Sequence, residues 1–296
     1  MTFNKKLRAV AGIGVLLLTV GVFIWYFHGH SELLTKLRQV NPGVIGLLLL
    51  LYGGMTAVLM LILYYSLRLC KAIIPLKENA LLTIYSSIVN FFGPLQSGPG
   101  FRAIYLKQRW QVKYKDFVLF SLLYYGFFAL FSALFLFGPS LPIWLATIII
   151  ALVCLVVWLT LRYKQVSLGE LALEYIIKLA LATLLQVALV ALIYFVELRS
   201  VDSHASLRQA VIYTGAANFA LFVSLTPGAI GFRESFLLLA HRLHHIPNNI
   251  VIAASVIDRA VYLVFLGILF VAALSLHAKD KLQVRKVRSK DSLTFG

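Results

Sequence analysis

Long apolar runs separated by short polar connections dominate this chain. About six of the runs are long enough to cross a membrane as single helices, because a span needs about 20 mostly apolar residues. They cover residues 9–27, 43–65, 117–137, 141–161, 171–196 and 250–276. The pattern predicts an all-α, polytopic helical membrane protein. We expect one transmembrane domain over 1–278 and a basic cytoplasmic tail over 279–296.

Two further apolar segments, 79–97 and 210–226, are interrupted by a repeated motif. Each has an asparagine, then a Pro-Gly pair, then a Phe-Arg pair. The motif residues are Asn90, Pro99, Gly100 and Arg102 in the first copy and Asn218, Pro227, Gly228 and Arg233 in the second. Proline interrupts helical hydrogen bonding, and the freed backbone groups find no water in a bilayer. We therefore predict two re-entrant segments, and paired interrupted segments of this kind favour an inverted repeat with a binding site between its halves.

Composition supports a membrane protein and argues against a soluble one. The chain has 296 residues, of which 61% are hydrophobic and 13% charged, with a mean hydropathy of +0.90. A soluble domain of this length has a more polar surface. The two cysteines indicate neither a disulfide framework nor a metal site.

The net charge of +16 carries topological information. Most of the 27 lysines and arginines lie in connections that share one side if both broken segments are re-entrant. The positive-inside rule then predicts cytoplasmic N- and C-termini in the cell membrane, and it makes the two broken units inverted relative to each other. Without a nucleic-acid motif, the basic residues indicate anionic membrane lipids as partners and exclude nucleic acid. An oligomer or a partner subunit is compatible with this pattern.

Arg102 and Arg233 occupy equivalent places just after the two breaks. A helix that begins after Pro-Gly exposes free N–H groups and the positive end of its dipole, and a guanidinium beside it offers donors suited to phosphate. We interpret the two arginines as half-sites for a lipid headgroup, one near each leaflet. The alternative is that both extend to the interface and fix the depth of their helices.

Asp258 and Arg259 lie within the last apolar span, where charges are rare and are usually paired or face a cavity. Arg259 is the third candidate for headgroup binding, with Asp258 or Glu234 as its counter-charge. An i, i+4 ladder that includes Glu174 and Lys178 is more typical of a solvated helix end than of a proton relay.

The amides of Asn90 and Asn218 are suited to bonding backbone groups freed by the breaks, or alternatively to packing helices together. We favour a structural role for both. His241 and His245 have the i, i+4 spacing of metal ligands, but no HExxH pattern accompanies them, so we predict an interfacial helix face. The sequence predicts no metal, no cofactor and no catalytic residue.

Two stretches carry a resemblance to a known family. "TPGAIGFRES" (Thr226 to Ser235) resembles the signature of the flippase-like family that includes the transmembrane part of lysylphosphatidylglycerol synthases. Pro227, Gly228, Gly231 and Glu234 match that signature, and Ala229 replaces a usual glycine. "NFFGPLQSGPGFRAIYLKQR" (Asn90 to Arg109) is similar to the family's first motif, without its usual Gly-acid pair.

The resemblance implies a membrane-embedded fold linked to translocation of phospholipid or lipid-linked headgroups. At 296 residues the chain leaves no room for the family's large aminoacyl-transferring domain, so lysyl-lipid synthesis is not expected. We predict a flippase-like protein that is not an enzyme. The alternative is a membrane enzyme or accessory subunit acting on lipid-linked sugars or phospholipid headgroups, with Glu234 and Asp258 as acid/base candidates.

Overall fold

The computed structural model describes residues 21, 40–92, 97–140, 147, 151, 170–223 and 232–291. In chain order its helices are α1 (Pro42–Leu69), α2 (Leu76–Phe92), α3 (Gly98–Trp110), α4 (Tyr114–Phe137), α5 (Glu170–Val201), α6 (Leu207–Val223), α7 (Phe232–Leu239), α8 (His241–His244) and α9 (Asn248–Asp291). A short 3-10 turn covers Gly138–Ser140. Within the described residues the prediction of an all-α membrane protein is confirmed.

Four of the described helices are long and apolar enough to cross a membrane. They are Pro42–Leu69, Tyr114–Phe137, Leu173–Val201 and Asn248–Ser275. Each corresponds to a predicted span, whereas the predicted spans 9–27 and 141–161 lie outside the described residues apart from positions 21, 147 and 151. Two ends differ from the prediction, because α5 continues to Val201 and α9 continues to Asp291, past the predicted start of the tail at 279.

A spanning helix forms where a long apolar run follows residues that favour the start of a helix. At α1, the side chain of Asn41 accepts a hydrogen bond from the N–H of Gly43 at 2.8 Å, and Pro42 occupies the first turn, where no donor is lost. The outward faces of these helices carry large apolar side chains. Leu50, Leu122, Leu181 and Val271 are exposed in this way. In a bilayer such side chains contact lipid, so their exposure carries no hydrophobic penalty.

Helices α2 and α3 form an antiparallel hairpin. Glu78, in the first turn of α2, accepts hydrogen bonds from the hydroxyl of Tyr105 at 2.5 Å and from Nε1 of Trp110 at 2.9 Å, both on the later part of α3. Nearer the tip, Nε of Arg102 donates to Oγ of Ser86 at 2.6 Å. The bonds of Glu78 to Tyr105 and Trp110 hold the two outer ends of the hairpin side by side. Burial and the bond to Glu78 also raise the pKa of Tyr105 to about 12, so its hydroxyl keeps its proton at neutral pH.

The tip of this hairpin depends on a glycine. A Cβ built on Gly98 would lie 2.6 Å from the backbone oxygen of Ser86 and 3.0 Å from Cβ of Asn90. The start of α3 therefore packs directly on the backbone of α2. The structure corrects the position of the break, because α2 ends at Phe92 and α3 already begins at Gly98, with Pro99 in its first turn. The fixed φ of proline suits that place, where its missing N–H has no helical partner to lose.

The second broken segment has a related arrangement. Helices α7 and α8 pack against α6, although the predicted break itself, including Pro227, Gly228 and Gly231, lies outside the described residues. Helix α6 also approaches α4 closely, since a Cβ on Gly215 would lie 2.4 Å from the backbone nitrogen of Leu136.

The α2–α3 hairpin and helices α6 and α7 meet a central group of spanning helices. Helix α5 packs against α1, α4, α6 and α9, and helix α9 packs against α1, α2, α5 and α7. The largest buried apolar cluster joins residues of α1, α5, α6, α7 and α9, with Leu48, Ile193, Tyr213, Leu237 and Val261 among its members. Side chains from the α2–α3 hairpin and from helices α6 and α7 thus reach the same interior region.

We predict that Gly98→Ala destabilises the protein by about 1–3 kcal/mol, because the added methyl group overlaps the α2 backbone. Thermal unfolding in detergent, followed by tryptophan fluorescence, measures the effect. Gly100→Ala is the matched control, since nothing lies within 4 Å of a Cβ at that position. A melting temperature for Gly98→Ala equal to that of Gly100→Ala would contradict the close packing.

Candidate functional site

A cavity of about 250 Å³ lies where the α2–α3 hairpin and helices α6 and α7 meet the spanning helices. Its apolar lining comes from residues such as Met55, Leu59, Phe91, Phe128 and Val190. Its polar lining comes from all the helices except α8, namely Tyr52, Ser86, Ser87, Asn90, Arg102, Tyr124, Tyr125, Gln186, Tyr194, Asn218, Arg233, Asp258, Arg259 and Tyr262. An apolar cavity with a few converging polar groups is the usual form of a ligand site.

The second half of the chain contributes a buried ion pair to this cavity. Nη1 of Arg233, on α7, donates to Oδ2 of Asp258, on α9. The other oxygen of Asp258 accepts from the hydroxyl of Tyr52, on α1, at 2.5 Å. The same hydroxyl lies 3.3 Å from Oε1 of Glu197, on α5, whose side chain is only 1% exposed. Four helices therefore meet at one cluster of charges.

Arg233 keeps donors available beyond its bond to Asp258. Its Nε and Nη2 are buried and have no hydrogen-bond partner among the described residues. Its guanidinium carbon lies 5.1 Å from the ring centroid of Tyr194, a distance that permits a cation–π contact. Since an unpaired buried donor is costly, these two N–H groups indicate a site able to accept an oxygen ligand.

Arg102 enters the cavity from the first hairpin with a different set of partners. Oγ of Ser86 donates to the backbone oxygen of Thr83 at 2.9 Å, so it meets Nε of Arg102 with a lone pair. The guanidinium also lies near Tyr124 and Tyr125, and among the described residues no carboxylate forms an ion pair with it. Within the described part of the chain, the hydroxyl groups of Ser86, Tyr124 and Tyr125 that lie beside its guanidinium are thus uncharged.

The two motif asparagines occupy different environments. Oδ1 of Asn90 accepts from the backbone N–H of Gly98 at 3.4 Å, which bridges the interruption between α2 and α3. Nδ2 of Asn218 donates to Oγ of Ser132 on α4 at 3.1 Å. The first contact is of the type expected for a broken helix, and the second is a helix-packing contact.

Most of the candidate residues from the sequence reach the cavity. Its lining includes Asn90, Pro99, Arg102, Asn218, Arg233, Asp258 and Arg259. Gly100 is not part of the lining, and the side chain of Glu234 lies outside what the structure describes. Asp258 serves as the counter-charge of Arg233. Headgroup binding by these residues stays a prediction.

Sequence reasoning missed Glu197 and the tyrosines around it. Glu197 lies one residue past the predicted end of the span 171–196, whereas α5 continues past it and buries it. The signal that could have found it is a lone carboxylate at the edge of a long apolar run. Tyr52 and Tyr194 give no comparable signal, because aromatic residues are ordinary in membrane helices.

The remaining candidates lie away from the cavity. Lys178 and Glu174 form an ion pair with side chains 43% and 51% exposed. Nδ1 of His241 lies 2.8 Å from the backbone oxygen of Ile246. Within the described residues there is no group of three or more His, Cys, Asp or Glu side chains that could hold a metal ion.

The fold and the charged cavity define the class as a polytopic helical membrane protein with a polar interior site. Residues 10–269 match the family described as the lysylphosphatidylglycerol synthase TM region. Because the match extends over most of the chain, the protein belongs to this family. No curated protein matches the chain. The resemblance noted in the sequence is therefore confirmed, and the family links the protein to the handling of lipid headgroups.

We predict that Asp258→Asn destabilises the protein by about 3–5 kcal/mol, because Arg233 is left buried without its counter-charge. Unfolding in detergent measures the change. The control is Glu174→Gln, which also removes one member of an ion pair but at an exposed position, where the loss is below about 1 kcal/mol. Equal losses for the two variants would show that the Arg233–Asp258 contact does not organise the interior.

Proposed function

We propose that this protein binds the anionic headgroup of a membrane phospholipid in the cavity and transfers it between the leaflets, while the acyl chains stay in the bilayer. The observation that carries the proposal is the convergence of Arg102, Arg233 and Arg259 on one cavity from three different helices. Arginine is suited to phosphate because its planar set of donors matches two oxygens at once.

The charge balance of the site supports an anionic ligand. Three guanidinium groups face the cavity, whereas the described acidic residues near them are Asp258 and Glu197. If all are ionised, one positive charge is left over, and a phosphodiester supplies one negative charge. Arg102 and the free donors of Arg233 are the groups available to bind it.

The size of the cavity supports binding of the headgroup alone. Its volume of about 250 Å³ lies below the roughly 300–1,000 Å³ of pockets that enclose a drug-sized molecule. A small polar headgroup fits such a space, but two acyl chains do not. Exposed apolar side chains on the spanning helices offer a surface for those chains.

The α2–α3 hairpin supports a re-entrant arrangement in the membrane. Its open end carries Glu78, Tyr105 and Trp110, and aromatic residues of this type favour the membrane interface. Arg102 precedes Trp110 on α3 and lies about 12 Å nearer the tip of the hairpin, at 1.5 Å per residue. We place this open end and both termini on the cytoplasmic side of the cell membrane, from the distribution of lysine and arginine, and the second broken segment on the opposite side.

An enzyme acting on lipid-linked sugars is the second candidate, since Glu197, Asp258 and the hydroxyl of Tyr52 lie together beside the cavity, although Glu197 is not part of its lining. However, both oxygens of Asp258 are already engaged, one by Tyr52 and one by Arg233. A general base needs a free oxygen directed at the substrate. This geometry favours transport over catalysis.

We predict that Arg102→Gln slows the transfer of a fluorescent phosphatidylglycerol between leaflets by about tenfold, because a charged hydrogen bond contributes about 1.5–3 kcal/mol. The measurement uses liposomes containing the purified protein, with chemical quenching of the outer leaflet. Arg102→Lys should restore only part of the rate, since lysine keeps the charge but not the planar donors.

Lys107→Gln is the matched control on the same helix, because Lys107 lies over the ring of Tyr114 at 4.2 Å and outside the cavity. It removes the same charge from α3 and should leave the rate unchanged. Liposomes in which the wild-type protein gives no transfer of anionic lipid would overturn the proposed function. Release of a cleaved headgroup in the same assay would favour the enzyme instead.

A further inference from the structure

Two buried carboxylates share one tyrosine hydroxyl beside the cavity. The hydroxyl of Tyr52 donates to Oδ1 of Asp258 at 2.5 Å and lies 3.3 Å from Oε1 of Glu197. A hydroxyl has one proton, so it satisfies one of the two carboxylates at a time. The other carboxylate depends on its remaining neighbours for stabilisation.

The surroundings of the pair make two negative charges costly. Glu197 and Asp258 are both buried, and among the described residues the ion-pair partner of Arg233 is Asp258. The other ionisable groups around the pair are Tyr52, Tyr194, Tyr213, Arg259 and Tyr262. Two negative charges this close together in a water-poor site repel each other strongly.

We propose that the Glu197–Asp258 pair is a proton-binding site, and that the bound proton increases the affinity of the cavity for an anionic phosphate headgroup. This inference rests on the proposed function of the same cavity. The proton comes from water, forms one O–H bond on the pair and returns to water when it dissociates. No other bond is formed or broken.

The coupling follows from the charges that face the cavity. With the pair fully ionised, its two negative charges offset two of the three guanidinium charges at the cavity, those of Arg102, Arg233 and Arg259. When one proton binds, a single carboxylate charge is left against three guanidinium charges, and a phosphate anion replaces the missing negative charge. Linkage is reciprocal, so headgroup binding also increases the affinity of the pair for its proton.

The exposed ladder on α5 is not equivalent to this pair. Glu174 is ion-paired with Lys178 one turn away, and both side chains are about half exposed. This pair also lies outside the cavity. Within α5, the position of Glu197 rather than that of Glu174 connects a carboxylate to the arginines.

The test is equilibrium binding of a fluorescent short-chain phosphatidylglycerol to the full chain in neutral detergent, followed by anisotropy. A phosphodiester lacks the second ionisation of a phosphate monoester near about pH 6, so the probe keeps one charge throughout. Wild-type protein should bind it at least about fivefold more tightly at about pH 5 than at about pH 8, the lower end of typical coupling.

Glu197→Gln imitates the protonated pair. It should bind the probe at high pH as tightly as the wild-type protein does at low pH, with less than about twofold dependence on pH. Glu174→Gln, the same substitution on the same helix, should keep the wild-type dependence. A pH dependence in Glu197→Gln equal to that of the wild type overturns the proton site.

Tyr52→Phe provides an independent variant. Without the hydroxyl, Glu197 and Asp258 lose their shared donor, so the midpoint of the pH dependence of binding should move to higher pH, and this midpoint rather than the absolute affinity is the readout. A loss of affinity at every pH would indicate a structural role only. If the wild-type protein binds no probe at any pH, the proposed function fails, whereas binding that does not vary with pH overturns the proton site alone.

Discussion

An arginine buried away from water has to be neutralised, and the ion pair between Arg233 and Asp258 meets that requirement here. Its members come from α7 and α9, and Tyr52 and Glu197 add contacts from α1 and α5. Removing one partner of a buried pair costs several kcal/mol, more than most apolar contacts contribute singly. The packing of α1, α5, α7 and α9 therefore depends on this cluster. The shape of the cavity depends on that packing.

The two halves of the chain use the same motif with different electrostatics. Arg102 is held by the hydroxyl of Ser86, whereas Arg233 is held by a carboxylate. The asparagines differ as well, since Asn90 bonds across its own hairpin and Asn218 bonds to the neighbouring helix α4. The two copies thus share a sequence motif, whereas the described side chains of each half have their own partners. An anion that contacts Arg102 displaces no carboxylate, but an anion that contacts Arg233 shares it with Asp258.

The residues that sequence reasoning could identify are those whose chemistry is unusual in an apolar run. Arginine, aspartate and Pro-Gly are costly in a bilayer, so Arg102, Arg233 and Asp258 stood out without any structure. The spanning helices were equally accessible, because length and apolar composition nearly define them. These signals predicted an all-α membrane protein with candidate residues at the two breaks and at Asp258 and Arg259 in the last span.

The contacts between these residues could not be predicted in the same way. Tyr52 and Asp258 are separated by 206 positions, and no local pattern links them. Glu197 lies just beyond the predicted span 171–196, so the apolar pattern did not include it. The start of α3 at Gly98 was also missed, because a Pro-Gly pair indicates an interruption without showing on which side of it the helix begins.

The α2–α3 hairpin is held together along its whole length. Glu78 bonds to Tyr105 and Trp110 at the open end, Ser86 bonds to Arg102 in the middle, and Gly98 packs on α2 at the tip. A side chain held in this way has already lost most of its conformational freedom, so a ligand that binds it bears little further entropic cost. Arg102 is therefore pre-organised within one hairpin, whereas the position of Arg233 depends on a carboxylate from another helix, α9. It follows that the two arginines are positioned by different means, Arg102 by contacts within the α2–α3 hairpin and Arg233 by the contact between α7 and α9.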